Sequence, residues 1–533
     1  MQTARHSLAT LMLLTMLAAC LSAGLGKARS QPFVAPYAPL GVPLPSTAVP
    51  DCPGLARLLN SARLLQTVDL INVRRFYDAQ GQDCVWSPRN AAQLSAVLAA
   101  APDHGLDPML FHAGQIEGLS GDTRPDALML RDVLLTDAAL RYARYVSEGV
   151  GPVAEANPDA PADRMTETDR VAALGASLED GSPGPWLANL TPRYTAYVQL
   201  QAGLVRYREI AAAGGWAQVP ETLVRGRDQK RDHSGLRTRL FAEGDLAIDS
   251  GLAAFDDDLK AGLARFQWRN GMRADGALTR DTISRLNISV GERLASLALN
   301  LERLRRTLRD VPPTRVEVNI PAATAVLFRD GRRALRMNAV VGAPQHETPE
   351  LSSAIDSIVL NPSWTIPRSI VVNEIEPQLK RDRKHLKKNH MFWQGDQLVQ
   401  KPGPWNALGR VKFDFPNPYA VYLHDTPARA LFTDPERAAS HGCVRLERPV
   451  ELAEALLAGD RDWDLAAIKA AIETGRTQRI RLGEPMPVVL TYQTAFAEAD
   501  GSVHFRPDVY GRDTKLTLAL SNRLDVPVPA PLP

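Results

Sequence analysis

The seven residues Ser440-His441-Gly442-Cys443-Val444-Arg445-Leu446 decide how this 533-residue chain is read. Cys443 is the only cysteine after Cys84. A histidine and a glycine stand directly before it, and an arginine stands two positions after it. Another histidine lies upstream, in Tyr422-Leu423-His424-Asp425-Thr426. A single thiol with a histidine near it in space is the smallest set of groups that performs nucleophilic acyl transfer.

That chemistry explains the residue types. Thiolate is the attacking species, and a free cysteine is mostly protonated at neutral pH. A neighbouring imidazole can take the proton and leave an ion pair. His424 is the candidate base. The preceding Ala420-Val421-Tyr422-Leu423 reads as a short strand, which would fix its position. Gly442 removes a side chain where the backbone must approach a substrate. The N–H groups of Gly442 and Cys443 are candidates to face a developing oxyanion. Arg445 is a candidate for a two-pronged bond to a substrate carboxylate. Other readings stand beside this one. A lone cysteine is often a small buried hydrophobe. Both histidines can be structural, and His424, His441 and Cys443 offer three zinc ligands. Residue types alone leave these alternatives open.

His424, followed 17 residues later by His441 within Ser440-His441-Gly442-Cys443-Val444-Arg445, resembles the signature of the L,D-transpeptidases with a YkuD-type catalytic domain. Arg445 stands where many small members carry asparagine. In this the chain is similar to the large, multidomain YcbB-like subgroup. The resemblance implies Cys443 as nucleophile and His424 as general base, with His441 and Gly442 shaping an oxyanion pocket. It implies no metal and no organic cofactor. The partner that orients His424 stays open. Asp425 is adjacent, but neighbours on a strand point to opposite faces, and a backbone carbonyl serves equally. The implied partners are peptidoglycan stem peptides, joined as 3→3 cross-links through a thioester on the cysteine, and carbapenems become expected inhibitors. Three alternatives remain: an L,D-carboxypeptidase with water as acceptor, attachment of stems to a wall protein, and a non-catalytic wall-binding scaffold.

The length suits two or three domains. With 45% hydrophobic and 23% charged residues and a net charge of +2, nothing favours nucleic acid as a partner. Residues 1–30 read as a signal peptide, with Arg5 ahead of an apolar core from Leu8 to Ala19. That core is shorter than the ~20 residues a membrane-spanning helix needs, so export to the periplasm is expected. Leu17-Ala18-Ala19-Cys20 resembles a bacterial lipobox, which would anchor the chain to a membrane by a lipid on Cys20. Ordinary cleavage near Ala23 or Ala28 is the alternative. Residues 31–50 are a proline-rich linker. In an oxidising compartment Cys52 and Cys84 are expected to pair, leaving Cys443 free.

The fold class expected is multidomain α+β. Residues 51–240 read as helical and resemble the subgroup's scaffold domain. In 241–290, Leu259, Leu263 and Phe266 share a helical face, Asn270-Gly271 stops that helix and Thr279 caps the next. This stretch resembles a small three-helix peptidoglycan-binding module. Residues 291–313 hold an amphipathic helix through Leu294, Leu297, Leu301, Leu304 and Leu308, returning to the scaffold and ended by Pro312-Pro313.

Residues 314–512 read as a β-sandwich-like catalytic domain. Val316, Val318 and Ile320 alternate with polar residues, and 325–328 and 335–341 form a hairpin around Asp330-Gly331. Further strands are expected at 354–360, 411–415, 488–492 and 503–506, with a helix from Pro449 to Leu457. Trp364 and Ser440 are candidates for substrate contact; Trp364 also suits a core. Residues 373–401 interrupt the strands with Lys380, Arg381, Arg383, Lys384, Lys387 and Lys388. In the subgroup an insertion here caps the active site. A basic lid attracts anionic stems, while a solvated helix face is the plainer reading. The proline-bearing end, 513–533, is expected to be a disordered tail.

Overall fold

The computed structural model describes residues 46–60, 68–150, 165–224, 232–307 and 311–524. The signal segment with Cys20, most of the linker, and residues 525–533 lie outside them. Among the described residues no helix is long and apolar enough to cross a membrane. Cys52 and Cys84 are joined by a disulfide with their Cα atoms 5.5 Å apart, and Cys443 is free.

The first helical layer packs helices Leu70–Ala79, Pro88–Ala99, Pro125–Glu148 and Glu167–Glu179 around Phe76, Leu94, Val133 and Leu174. Two buried hydrogen bonds tie its helices together. Tyr77 donates to Asp132 at 2.6 Å, and the Trp86 indole donates to Thr136 at 2.9 Å. Helix Val290–Thr307 lays Leu297, Leu301 and Leu304 against Leu200 and Leu204 of helix Thr195–Ala212.

Between those two helices sits a three-helix unit: Ser234–Ala242, Asp257–Arg269 and Arg280–Leu286. Leu240, Leu259, Leu263, Phe266, Ile283 and Leu286 form its own core. Asp256 caps the second helix, accepting from the Leu259 N–H, and Thr279 caps the third, accepting from the Thr282 N–H. The unit begins at 234 rather than 241, because Leu236 and Leu240 are needed to close the core.

The strands of the described residues all follow helix Val290–Thr307: β1 Arg315–Asn319, β2 Thr324–Arg329, β3 Arg332–Gly342, β4 Leu351–Leu360, β5 Trp364–Thr365, β6 Met391–Gln394, β7 Gln397–Gln400, β8 Val411–Asp414, β9 Leu423–His424, β10 Ala438–Ser440, β11 Val444–Leu446, β12 Gln478–Thr491, β13 Ala495–Ala497 and β14 Val503–Phe505. One nine-stranded sheet runs β10-β3-β11-β9-β8-β4-β12-β1-β2, and β2 also pairs with β3, so the sheet closes on itself. Closure through β2–β3 wraps the sheet around Val318, Ile358, Phe413, Leu423 and Leu490, with β10 left at an edge. The β2–β3 turn places Asp330 at φ 49° and Gly331 at φ 75°, as a two-residue hairpin requires.

Three expectations change. Val503–Arg506 does not extend the catalytic sheet. β13 and β14 form a separate hairpin whose Ala495, Val503 and Phe505 pack on the helices Thr195–Ala212 and Val290–Thr307. The end of the chain is helical from Arg512 to Leu524. Arg512 bonds Glu347 at 2.6 Å and Glu350 at 2.9 Å, and Leu520 packs on the scaffold core, contacts that a reading by proline content misses. The insertion is a small subdomain that begins at Trp364 rather than 373. It pairs β5-β7-β6, adds helices Glu376–Arg381 and His385–Lys388, and encloses Ile366, Ile370, Val371, Ile375 and Leu398.

Candidate active site

β9 and β11 lie parallel and adjacent, with Leu423 opposite Val444 and His424 opposite Arg445. Residues in register on neighbouring strands share a face, and so do residues two apart on one strand. The Cys443 thiol, the Arg445 guanidinium and the His424 imidazole therefore project from one face. Lys412 on β8, paired with His424, joins the row. Tyr422 lies on the same side, its ring 5.6 Å from the imidazole and 4.2 Å below Lys412 Nζ. The strand is shorter than its sequence suggests. Ala420 takes φ 55°, and His424 sits within the paired strand instead of after it.

The loop that carries Cys443 is held from two sides. Gly442 adopts φ 105°, a conformation that favours glycine. Thr348 Oγ1 donates to the Gly442 carbonyl at 2.8 Å and accepts from the Gly342 N–H at 2.8 Å. Ser440 Oγ donates to the Cys443 carbonyl at 2.5 Å and accepts from the Gly442 N–H at 3.2 Å. Two expectations are corrected here. Ser440 is buried and braces the loop, so it does not face substrate. The Gly442 N–H is already used. Among the described residues the Cys443 N–H has no acceptor and is the one left for an oxyanion.

His424 Nδ1–H donates to the Asp425 carbonyl at 2.5 Å, which identifies its orienting partner as backbone. The Asp425 carboxylate turns away, to the Arg410 N–H at 2.8 Å. Burial, and then the Arg445 charge, push the His424 pKa down to about 3. Burial pushes the Cys443 thiol up, against the Tyr422 N–H and hydroxyl, Lys412 and Arg445. The resting pair is thus a neutral thiol and a neutral imidazole, not a standing ion pair. Among the described residues no hydrogen bond joins them, and the Ala420 carbonyl lies 3.9 Å from Cys443 Sγ.

Arg445 keeps a buried Nε with no partner, and among the described residues no carboxylate pairs with its guanidinium. Trp364 packs against the insertion's core and reaches the Tyr422 hydroxyl, which in turn faces the Cys443 sulfur. Trp364 is thus part of the insertion's core and also a neighbour of the Tyr422 hydroxyl. His441 points outward, with Nε2 2.6 Å from Glu374 and its ring 4.9 Å from that of His346. It ties the loop to the insertion. Glu374 lies in a π-helical turn, Val371–Ile375, just ahead of Pro377, which has no N–H to donate back. Among the described residues no three His, Cys, Asp or Glu side chains gather as metal ligands, so the zinc arrangement is not formed.

Sequence reasoning missed Tyr422, Lys412 and Glu374 as site residues. Tyr422 was within reach, since it stands two positions before His424. Lys412 needs the β8–β9 register, and Glu374 needs the insertion's fold. The assembled groups can move an acyl group through sulfur: a thiol, a base oriented through Nδ1, one free N–H, and an unpaired guanidinium.

The L,D-transpeptidase catalytic-domain family matches residues 313–468, and a scaffold-domain family matches 72–204. A Haemophilus influenzae protein assigned by its name to the L,D-transpeptidases is 31% identical over 246 residues. That match covers 42% of this chain and 50% of the relative, so the chain spans about half the relative's length. Among solved structures, an L,D-transpeptidase from Stackebrandtia nassauensis is 14% identical, with TM-score 0.22, over 50% of this chain and 95% of that one. L,D-transpeptidase 3 from Mycobacterium tuberculosis, in complex with a faropenem-derived adduct, is 16% identical, with TM-score 0.20, over 34% and 60%. The transpeptidase domain contains every candidate named above, from Trp364 to Arg445.

Proposed function

We propose that this chain is a peptidoglycan L,D-transpeptidase that forms 3→3 cross-links in cell-wall biogenesis. Cys443 Sγ attacks the carbonyl carbon of diaminopimelate at the third position of a donor tetrapeptide stem. His424 takes the thiol proton as substrate arrives and gives it to the departing amine, so the terminal D-alanine leaves. A thioester to Cys443 remains. The side-chain amine of a second stem's diaminopimelate then attacks it. A new amide forms, the sulfur leaves, and the amine's proton returns through His424. The Cys443 N–H stabilises the oxyanion in both halves. Arg445 takes a stem carboxylate, and the insertion with Trp364 excludes water.

The observation that carries this reading is the free thiol of Cys443 sharing a sheet face with His424 inside the stretch matched by the transpeptidase family. The apolar segment Leu8–Ala19 supports export to the periplasm, where stems are found. No cofactor is required, and a carbapenem should acylate Cys443. Incubation of the purified protein with tetrapeptide stems tests the proposal by mass. Cross-linked dimers support it. Tripeptide alone replaces it with an L,D-carboxypeptidase, and unchanged stems with a wall-binding scaffold. Cys443→Ala is expected to abolish both products; a cross-linking Cys443→Ala chain would sink the mechanism.

A further inference from the structure

A second charged surface lies away from Cys443, where the three-helix unit meets the β13–β14 hairpin and β3. Trp268 projects from helix Asp257–Arg269 and is 43% exposed. Its ring stands edge-on to His504 of β14 at 4.5 Å, and the Arg336 guanidinium lies 6.0 Å from its centroid. Arg333 and Arg336 reach the same place from β3, each about one-third exposed, and both lean on one carboxylate, Glu498. Arg506 follows β14 and is held by the Arg269 and Phe505 carbonyls at 2.8 and 2.7 Å. Among the described residues no carboxylate bonds to it. Burial, then Arg336 and Arg437, hold its pKa down to about 9.

A fold gains nothing by crowding like charges around a single carboxylate; the arrangement costs stability. Packing does not require the indole to be exposed either. His504 adds an independent sign. It is fully buried behind Trp268, and its Nδ1 has no partner. An aromatic face beside three guanidinium groups that have, among the described residues, only the Glu498 carboxylate between them suits a ligand with a sugar ring and a carboxylate.

We infer that the surface formed by Trp268, Arg333, Arg336 and Arg506 is a second wall-binding site, taking a sugar ring of a glycan strand on the indole and the carboxylates of its peptide stem on the arginines. This rests on peptidoglycan being the substrate. It differs from the general expectation for the three-helix unit, because β3 of the catalytic sheet and the β13–β14 hairpin supply the arginines. A strand held there is fixed relative to the transpeptidase domain.

The test uses the full chain carrying Cys443→Ala, so that no probe is consumed. The probes are a disaccharide bearing a tetrapeptide stem and the same disaccharide without its stem. Trp268→Ala is expected to weaken binding of both about tenfold, with partial recovery in Trp268→Tyr. Arg336→Gln is expected to weaken only the stem-bearing probe, by a similar factor, and to reduce its salt dependence. Melting curves matching the parent exclude a folding defect. Unchanged affinity in both variants would overturn the inference, as would equal weakening by Arg336→Gln of both probes. The two proposals fail separately. A chain with native Cys443 that forms no cross-links while these variants still lose affinity removes the transpeptidase reading and leaves this site standing.

Discussion

The closed sheet under Cys443 and the insertion that leans over it are built by unlike means. The sheet joins its own ends and buries a long apolar series, with Phe413, Leu423 and Val444 all fully enclosed. The insertion encloses five buried apolar residues, and its helices carry exposed lysines and arginines. What the contrast teaches is a division of labour. The thiol and imidazole are placed by a well-packed closed sheet, which is expected to open only with global unfolding, whereas their cover is expected at the low-stability end of the molecule. The largest expected effects follow from this. Phe413→Ala removes a ring from the sheet's centre and should cost about 3–5 kcal/mol, read as a lower denaturant midpoint with activity lost. Leu398→Ala should instead raise hydrogen exchange within 364–400 and leave the global midpoint near that of the parent. Equal global losses from the two would break the comparison.

Next is a single hydroxyl. Thr348 is fully buried and links the Gly442 carbonyl to the Gly342 N–H. Thr348→Val keeps the shape and orphans both backbone groups, at about 1–3 kcal/mol. Because one of those groups belongs to the nucleophile's loop, acylation should slow more than stability falls. Single-turnover acylation by a carbapenem, set beside a melting curve, separates the two. Acylation at the parent rate would show that the loop is held by Ser440 alone.

The same contrast governs what could be read before the coordinates. The sheet was legible where alternation is strict: Val316, Val318 and Ile320, and the Asp330-Gly331 turn, land where period two and turn chemistry put them. The motif that links His424 to Ser440-His441-Gly442-Cys443 was legible because it is compact. Local pattern carries no register, however. That Lys412 stands beside His424, or that β14 leaves the sheet for the helices, depends on partners far along the chain. Ser440 and Gly442 look like substrate contacts in sequence. Only the loop's geometry shows their hydrogen bonds turned inward. The insertion was visible as a run of charge, but its start at Trp364 was not, since a two-residue strand has too few residues to show a period.

A smaller effect concerns pH. With the thiol pushed up and the imidazole pushed down, alkylation of Cys443 by iodoacetamide should accelerate as pH rises, with a midpoint above the ~8.5 of an ordinary thiol. A midpoint below 7 would reveal a standing ion pair and contradict the neutral resting state. Stability should show the matching sign. The unfolded chain protonates His424 as pH falls through about 6.5, while the folded chain holds out until about 3. Stability contributed by the neutral form is therefore present above 6.5 and lost between 6.5 and 3. His424→Gln should flatten that part of the profile.

The smallest effect tests the joint between the two regions. His441 and Glu374 meet at 2.6 Å, but their side chains are 39% and 50% exposed. Water screens such a pair, so Glu374→Gln should move global stability by less than about 1 kcal/mol. Its consequence is expected in the cover. An uncharged amide still reaches His441 but attracts it less, so the insertion should part from the loop more often. Faster exchange of the 371–381 amides, with 411–414 and 444–446 unchanged, is the expected signature. If the sheet strands exchange faster as well, the insertion stiffens the site beneath it, and the cover and its support form one unit instead of two.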